Sequence, residues 1–193
     1  MGKQAKLFVL SAPSGSGKTT LCQKLLRSLN VRGSKKLLRS VSVTTRRPRR
    51  GERPGKDYFF ISRQEFSRRR KQGKFLEWAQ VLDNYYATPR EFVEQQLKLG
   101  RNVLLSIDVQ GARQIKRKFR RAIFIFILPP SLEELERRLK TRSTENIQEV
   151  KARLALARWE MKQLREYNYV VLNDRIHRAV NRLREIIRQE GKG

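Results

Sequence analysis

Cysteine and histidine are almost absent from this chain of 193 residues, which carries one of each, Cys22 and His177. A single cysteine excludes an intramolecular disulfide, and one cysteine with one histidine cannot assemble a zinc cluster. Cys22 reads as a buried helix position and His177 as a surface one, so neither is given a functional role. Long hydrophobic runs are missing too: none approaches the roughly 18 apolar residues that span a bilayer. The opening MGKQAKLFVL meets a glycine-rich loop before a signal-cleavage pattern develops. The expectation is a soluble, cytoplasmic protein with no membrane partner. Acidic residues are scarce, 18 Asp and Glu against 45 Lys and Arg, giving a formal net charge of +27 and a pI near 11.3. The basic residues are spread through every segment, without one tail or block. They predict a generally basic surface with weak, incidental polyanion binding.

The length suits one packed domain, here residues 1–193. Apolar runs of strand length alternate with segments of helical period, which predicts an α/β fold with a mostly parallel sheet flanked by helices. Strands are expected at 6–10, 103–107, 122–128 and 167–172, and helices at 17–29, 89–99, 131–140, 146–165 and 175–189. Ser131, with Glu134 three residues on, marks a helix start, and Pro89 opens another. Residues 38–88 break the alternation with a Pro/Gly/Arg-rich loop, a short strand at 58–61, a helix at 63–72 and the strand FLEWAQVL. They read as an insert between core segments at about 1–37 and 89–193. The polar, basic stretch KTRSTENI at 140–147 is a candidate lid, taken with its flanks as about 138–150.

The first strand leads into SAPSGSGKTT and then a helix, the context a phosphate-binding loop requires. Gly15 and Gly17 let the backbone curl so that successive N–H groups face inward, and the helix N-terminus adds a positive end. Ala12, Pro13, Ser14, Gly15, Ser16, Gly17, Lys18, Thr19 and Thr20 are the expected ATP-binding stretch. Lys18 reaches the β and γ phosphates, and the Thr19 hydroxyl is the expected ligand for Mg²⁺. Ala12 stands where the strict GxxxxGK[ST] pattern has its first glycine.

Six segments in order extend this picture: SVSVTTRRPRRGERPGKDY, FLEWAQVLDNYYAT, LLSIDVQGARQIK, ILPPSLEELERRLKTRSTE, VVLND and the phosphate loop itself. Together they cover nearly the whole chain, and the chain resembles the guanylate kinases. That resemblance implies a P-loop nucleoside monophosphate kinase fold with a GMP-binding insert and a lid. The implied reaction is Mg²⁺-dependent transfer of the γ-phosphoryl group of ATP to GMP, with dGMP as an alternative acceptor. It places Arg46, Arg49, Tyr58 and Tyr86 on the GMP phosphate, where planar guanidinium forks and phenol hydroxyls suit a dianion. Ser42, Glu77 and Thr88 match positions that read the guanine base. An ionised Glu77 could accept from both guanine N1–H and the 2-amino group. Arg138, Arg142 and Arg153 match arginines around the ATP phosphates, with Arg142 and Arg153 joining Lys18 as the catalytic set. Asn173, in VVLND, is implied on the ATP side.

Asp108 follows an apolar strand as a Walker B acid does, and a place near Mg²⁺ or the guanine edge are both open. The resemblance is imperfect at Ser106, where the family usually carries a second acid. LLSIDVQGARQIK is read as strand and turn. Asp83 and Ala87 replace family glycines, which predicts strain if either position needs positive φ. Two rival readings are a catalytically silent guanylate-kinase-like binding module and a basic nucleic-acid-binding P-loop protein. The intact loop lysine and hydroxyl oppose the first, and the lack of a stacking motif or recognition helix opposes the second.

Overall fold

The computed structural model describes residues 5–30, 37–141 and 147–191. Among these, five strands form a parallel sheet and four more a second, mixed sheet. The parallel sheet has the order β2 (Leu38–Arg39), β7 (Val103–Ser106), β1 (Leu7–Ser11), β8 (Ile123–Leu128), β9 (Tyr169–Leu172). β1 is central and all five of its residues are buried, so its apolar run is continuous, as a strand covered on both faces requires. Its side chains nevertheless divide by the strand period of two. Phe8 and Leu10 pack with Leu21, Cys22 and Leu25 of α1 (Lys18–Leu29) and Leu183 and Ile186 of α7 (Ile176–Glu190). Leu7 and Val9 face the other way, into a cluster with Val93 of α3 (Arg90–Lys98) and Ala112 and Ile115 of α4 (Val109–Lys118). Cys22 is thus a core residue and His177 is exposed, as expected.

The second sheet runs β4 (Phe59–Phe60), β3 (Val43–Thr44), β6 (Asn84–Pro89), β5 (Phe75–Val81), with α2 (Arg63–Lys71) between β4 and β5 in the chain. Phe66 of α2 packs with Phe75, Val43 and Ala87 as the small core of this unit. Ser62 caps α2 by accepting from the Glu65 N–H at 3.1 Å, and Ser131 caps α5 (Leu132–Thr141) by accepting from the Glu134 N–H at 3.1 Å. Both caps follow the Ser-x-x-Glu spacing. α6 (Ile147–Met161) stops short of the expected 165 and is followed by a 3-10 turn at Leu164–Glu166.

Two expectations fail. LLSIDVQGARQIK is a strand followed by a ten-residue helix, α4, rather than a strand and turn. Gly111 suggests a turn in isolation, yet Val109, Ala112 and Ile115 recur at helical spacing and bury against the sheet. The second concerns strain. Ala87 lies in β6, paired with Val43 and Trp78. Neither it nor Asp83 has positive φ; the non-glycine residue that does is Leu82, at φ 52°. Leu82 and Asp83 form the two-residue loop between Val81 and Asn84, and the unusual φ falls on the first of them. Strand register decides which loop position reverses the chain, and here it is Leu82.

α4 also fixes β5 against the central sheet. The Gln110 amide donates to the Gln80 carbonyl at 3.2 Å. Gln114 accepts from the Trp78 N–H at 3.3 Å and donates to its carbonyl at 2.5 Å, while Lys118 Nζ donates to the Leu76 carbonyl at 2.6 Å. Four helical residues rise about 6 Å and two strand residues about 6.6 Å, so side chains at 110, 114 and 118 stay in step with residues 80, 78 and 76. The otherwise unpaired edge of β5 is thereby satisfied by polar side chains instead of another strand.

Candidate active site

The loop between β1 and α1 curls through Gly15 at φ 89° and Gly17 at φ 82°, conformations that favour glycine. Space requires glycine there as well: a Cβ at Gly15 would lie 2.9 Å from Leu135 Cδ1, and one at Gly17 would lie 2.8 Å from Asn173 Nδ2. Gly17 is the N-cap of α1 and offers no side-chain cap, so the first N–H groups of that helix are left for an anion. Asn173 is buried, and its amide donates to the Ser16 carbonyl at 2.8 Å. It braces the loop from behind. Ala12 is buried, which suits the missing first glycine, because its methyl packs in the core. Thr19 and Thr20 are exposed at the start of α1.

Lys18 folds inward, and its Nζ donates to the Ile107 carbonyl at 2.5 Å. Desolvation lowers its pKa, opposed by the charges of Asp108, Glu160 and Glu77 nearby. Asp108 is the N-cap of α4: its Oδ1 accepts from the Gly111 N–H at 2.9 Å. Glu77 is buried on β5, and its Oε1 accepts from the Thr88 hydroxyl of β6 at 2.6 Å. Burial first, and the charge of Asp108 second, push the Glu77 carboxyl up to about 8. Burial thus favours the protonated form over the expected carboxylate in the ligand-free protein.

The residues expected to hold an anion, Arg46, Arg49, Tyr58 and Tyr86, converge on one cleft. Arg46 donates to both Glu52 carboxylate oxygens, at 2.8 and 2.9 Å, and lies over the Tyr58 ring at 5.5 Å. Tyr58 meets Tyr86 edge to face with centroids 6.0 Å apart. Arg49 is exposed, its backbone N–H held by Glu52 Oε2 at 2.7 Å. One cleft is lined by the phosphate loop, Arg46, Arg49, Tyr58, Tyr86, Ser42, Glu77, Asp108 and Arg153. Thr88 stands behind Glu77, buried. Arg153, on α6, donates to Ser14 Oγ at 3.2 Å. Arg138 is turned to Glu134 at 2.7 Å and does not line the cleft. Arg142 lies outside the described residues.

Sequence reasoning missed several members of this cleft, among them Glu160 and Arg39. Glu160 is buried on α6, its carboxyl pushed up to about 7 by desolvation, with Oε2 lacking a hydrogen-bond partner. Its spacing of seven from Arg153, through buried Ala157, is the signal that places both on one helical face. Arg39, at the end of β2, donates to the Asp57 carbonyl at 2.6 Å. No local signal separates it from the chain's many other arginines.

Among the described residues no cluster of three or more Asp, Glu, His or Cys side chains is placed to hold a metal by itself. The oxygen donors present, the Thr19 hydroxyl and the Asp108 and Glu160 carboxyls, fit a hard cation that arrives with phosphate oxygens and water. No helix of the described residues is long and apolar enough to cross a membrane.

A glycine-curled phosphate loop at the centre of a parallel sheet, facing a basic, tyrosine-lined wall, defines a P-loop protein built to hold phosphorylated ligands. The guanylate kinase family profile matches residues 4–190. Guanylate kinase of Caldanaerobacter subterraneus subsp. tengcongensis is 50% identical over 185 residues, 96% of this chain and 87% of the relative. Guanylate kinase of Desulfitobacterium hafniense is 47% identical, over 95% of this chain and 90% of its own. The crystal structure of guanylate kinase from Anaplasma phagocytophilum superposes with a TM-score of 0.83 at 37% identity, covering all of this chain and 89% of that one. The chain belongs to the guanylate kinase family.

Proposed function

We infer that this chain is an ATP:GMP phosphotransferase, a kinase that forms ADP and GDP. The observation that carries the reading is the buried carboxyl of Glu77 in the same cleft as an intact phosphate loop and Lys18. Phosphoryl transfer asks the protein for positioning and charge neutralisation. The loop N–H groups and Lys18 receive the ATP phosphates, and Lys18 leaves the Ile107 carbonyl to do so. Arg153 adds a cation from α6, and Arg142 and Arg138 are proposed for the same side from their family positions. Arg46, Arg49, Tyr58 and Tyr86 hold the GMP phosphate, with Arg46 exchanging Glu52 for the ligand. The acceptor is already an anion, so no general base is needed.

Glu77 and Ser42 face the base, and Thr88 stands behind Glu77, holding its Oε1. Guanine places two donors along one edge, whereas adenine offers a lone pair there, which leaves the carboxylate unmatched. Mg²⁺, held by Thr19 and the ATP phosphates, would neutralise phosphate charge when bound. Residues 38–88 serve as the GMP-binding insert and 138–150 as the lid. A cytoplasmic setting suits a chain with one buried thiol. Polyanion binding driven by the +27 charge is incidental and falls steeply with salt.

The test is ADP formation with ATP, Mg²⁺ and each of GMP, dGMP, AMP, CMP and UMP. Strong preference for guanine acceptors is expected. Equal use of AMP would overturn the reading, and the absence of turnover with tight GMP binding would favour the silent binding module.

A further inference from the structure

We propose that Gly111, which carries no chemistry of its own, is a specificity-positioning residue: its missing side chain is what lets the Glu77 carboxyl sit where it can meet the base. The inference rests on the assignment of Glu77 as the base reader.

Gly111 lies in the first turn of α4 and its φ is not positive, so the backbone there is one any residue adopts. Within a helix glycine is less favourable than alanine. Local structure therefore gives no reason for it. The Gly111 N–H, bonded to Asp108 Oδ1, would be present with any residue except proline. What is specific to glycine is the space beyond its Cα. A Cβ at 111 would lie 2.3 Å from Glu77 Oε2 and 2.9 Å from Glu77 Cδ, and 3.4 Å from Ile107 Cδ1.

Glu77 cannot simply back away. Its other oxygen, Oε1, is held by the Thr88 hydroxyl at 2.6 Å, and both residues are buried. The backbone cannot yield either, because Gln110, Gln114 and Lys118 pin β5 to α4 on both sides of position 77. The side chain at 111 and the carboxyl of Glu77 thus compete for one volume, and a methyl group would displace the carboxyl by about the 1 Å that can cost up to 10²-fold in a positioned site.

The experiment compares wild type, G111A, E77A and G111A/E77A in the full chain, measuring unfolding and steady-state kinetics with GMP, AMP and ATP. For G111A a loss of tenfold or more in GMP kcat/KM is expected, carried mainly by KM, with the ATP KM within twofold and the GMP-to-AMP ratio reduced. In the E77A background the same substitution should no longer lower GMP kcat/KM and should raise stability, since the clash is gone and alanine favours the helix. If G111A alone does not fold, the double variant should fold again. A folded G111A with unchanged GMP kinetics, a loss shared equally with the ATP KM, or a double variant that also fails to fold would each overturn the proposal. Retention of full GMP activity by E77A would instead remove the base-reading assignment itself, a result distinguishable from all of these.

Discussion

Arg153 on α6 donates a hydrogen bond to Ser14 Oγ of the phosphate loop at 3.2 Å, joining groups 139 residues apart in the chain. The guanidinium is thereby held at the rim of the loop before any nucleotide arrives. R153A should lower kcat by about 10²-fold, in the range for losing one preorganised donor to a developing charge. R153K should recover only part, because an ammonium cannot reproduce the planar fork. The GMP KM should change less than the ATP KM. S14A, which removes the hydroxyl anchor but keeps the loop backbone, should cost less than R153A. Steady-state kinetics with each substrate varied in turn separates these outcomes, and a GMP-only defect in R153A would move Arg153 to the acceptor side.

Lys18 is parked on the Ile107 carbonyl with its pKa lowered by burial. Burial disfavours its charge, which the proposed reaction uses on phosphate. K18A should reduce turnover by about 10²–10³-fold, while the thermal midpoint falls by no more than a few degrees. Near-normal turnover in K18A would contradict the phosphate-loop assignment.

Glu77 should make stability and activity move in opposite directions with pH. Its folded pKa, about 8, is above the unfolded value near 4.3. The folded state then holds a proton that the unfolded state has released. The stabilisation is complete below about pH 4 and is lost as pH rises through about 8. The loss is roughly 2–5 kcal/mol between those limits. Unfolding of E77Q should show a flatter dependence over this range. If Glu77 reads the base as proposed, recognition of guanine uses the ionised form, so the ratio of GMP to AMP kcat/KM in wild type should rise toward pH 8, the shared phosphate cancelling. E77Q should lose about 10²-fold in GMP kcat/KM and show no such rise. A wild-type ratio independent of pH would exclude titration of Glu77 from base recognition.

Leu82 holds a positive φ of 52° at the exposed hairpin tip, a region that costs a residue with a Cβ about 1 kcal/mol or more. L82N and L82G should each stabilise the protein by about 0.5–1 kcal/mol in denaturant unfolding. A destabilised L82G would mean that the leucine side chain contributes more than its backbone costs.

Much of the architecture and part of the cleft follow from neighbours in the chain. The phosphate loop is contiguous, from Ala12 to Thr20, and its glycines, lysine and hydroxyl act through backbone geometry that the local order of residues dictates. The buried strands are apolar runs, and the Ser62 and Ser131 caps depend on residues three positions apart. These features are legible because their physics is local. Three others were decided only by the tertiary structure. Position 111 looks like a turn until β5 is brought alongside it, because the reason for its glycine is a carboxyl 34 residues earlier. Glu160 is an ordinary helical acid until α6 packs over the cleft and strips its solvent. The raised pKa of Glu77 depends on burial and on Asp108, which caps another element altogether. A side chain's type is written in the sequence, but its desolvation and the charges facing it are set by distant segments, and those are what move the pKa of a buried glutamate.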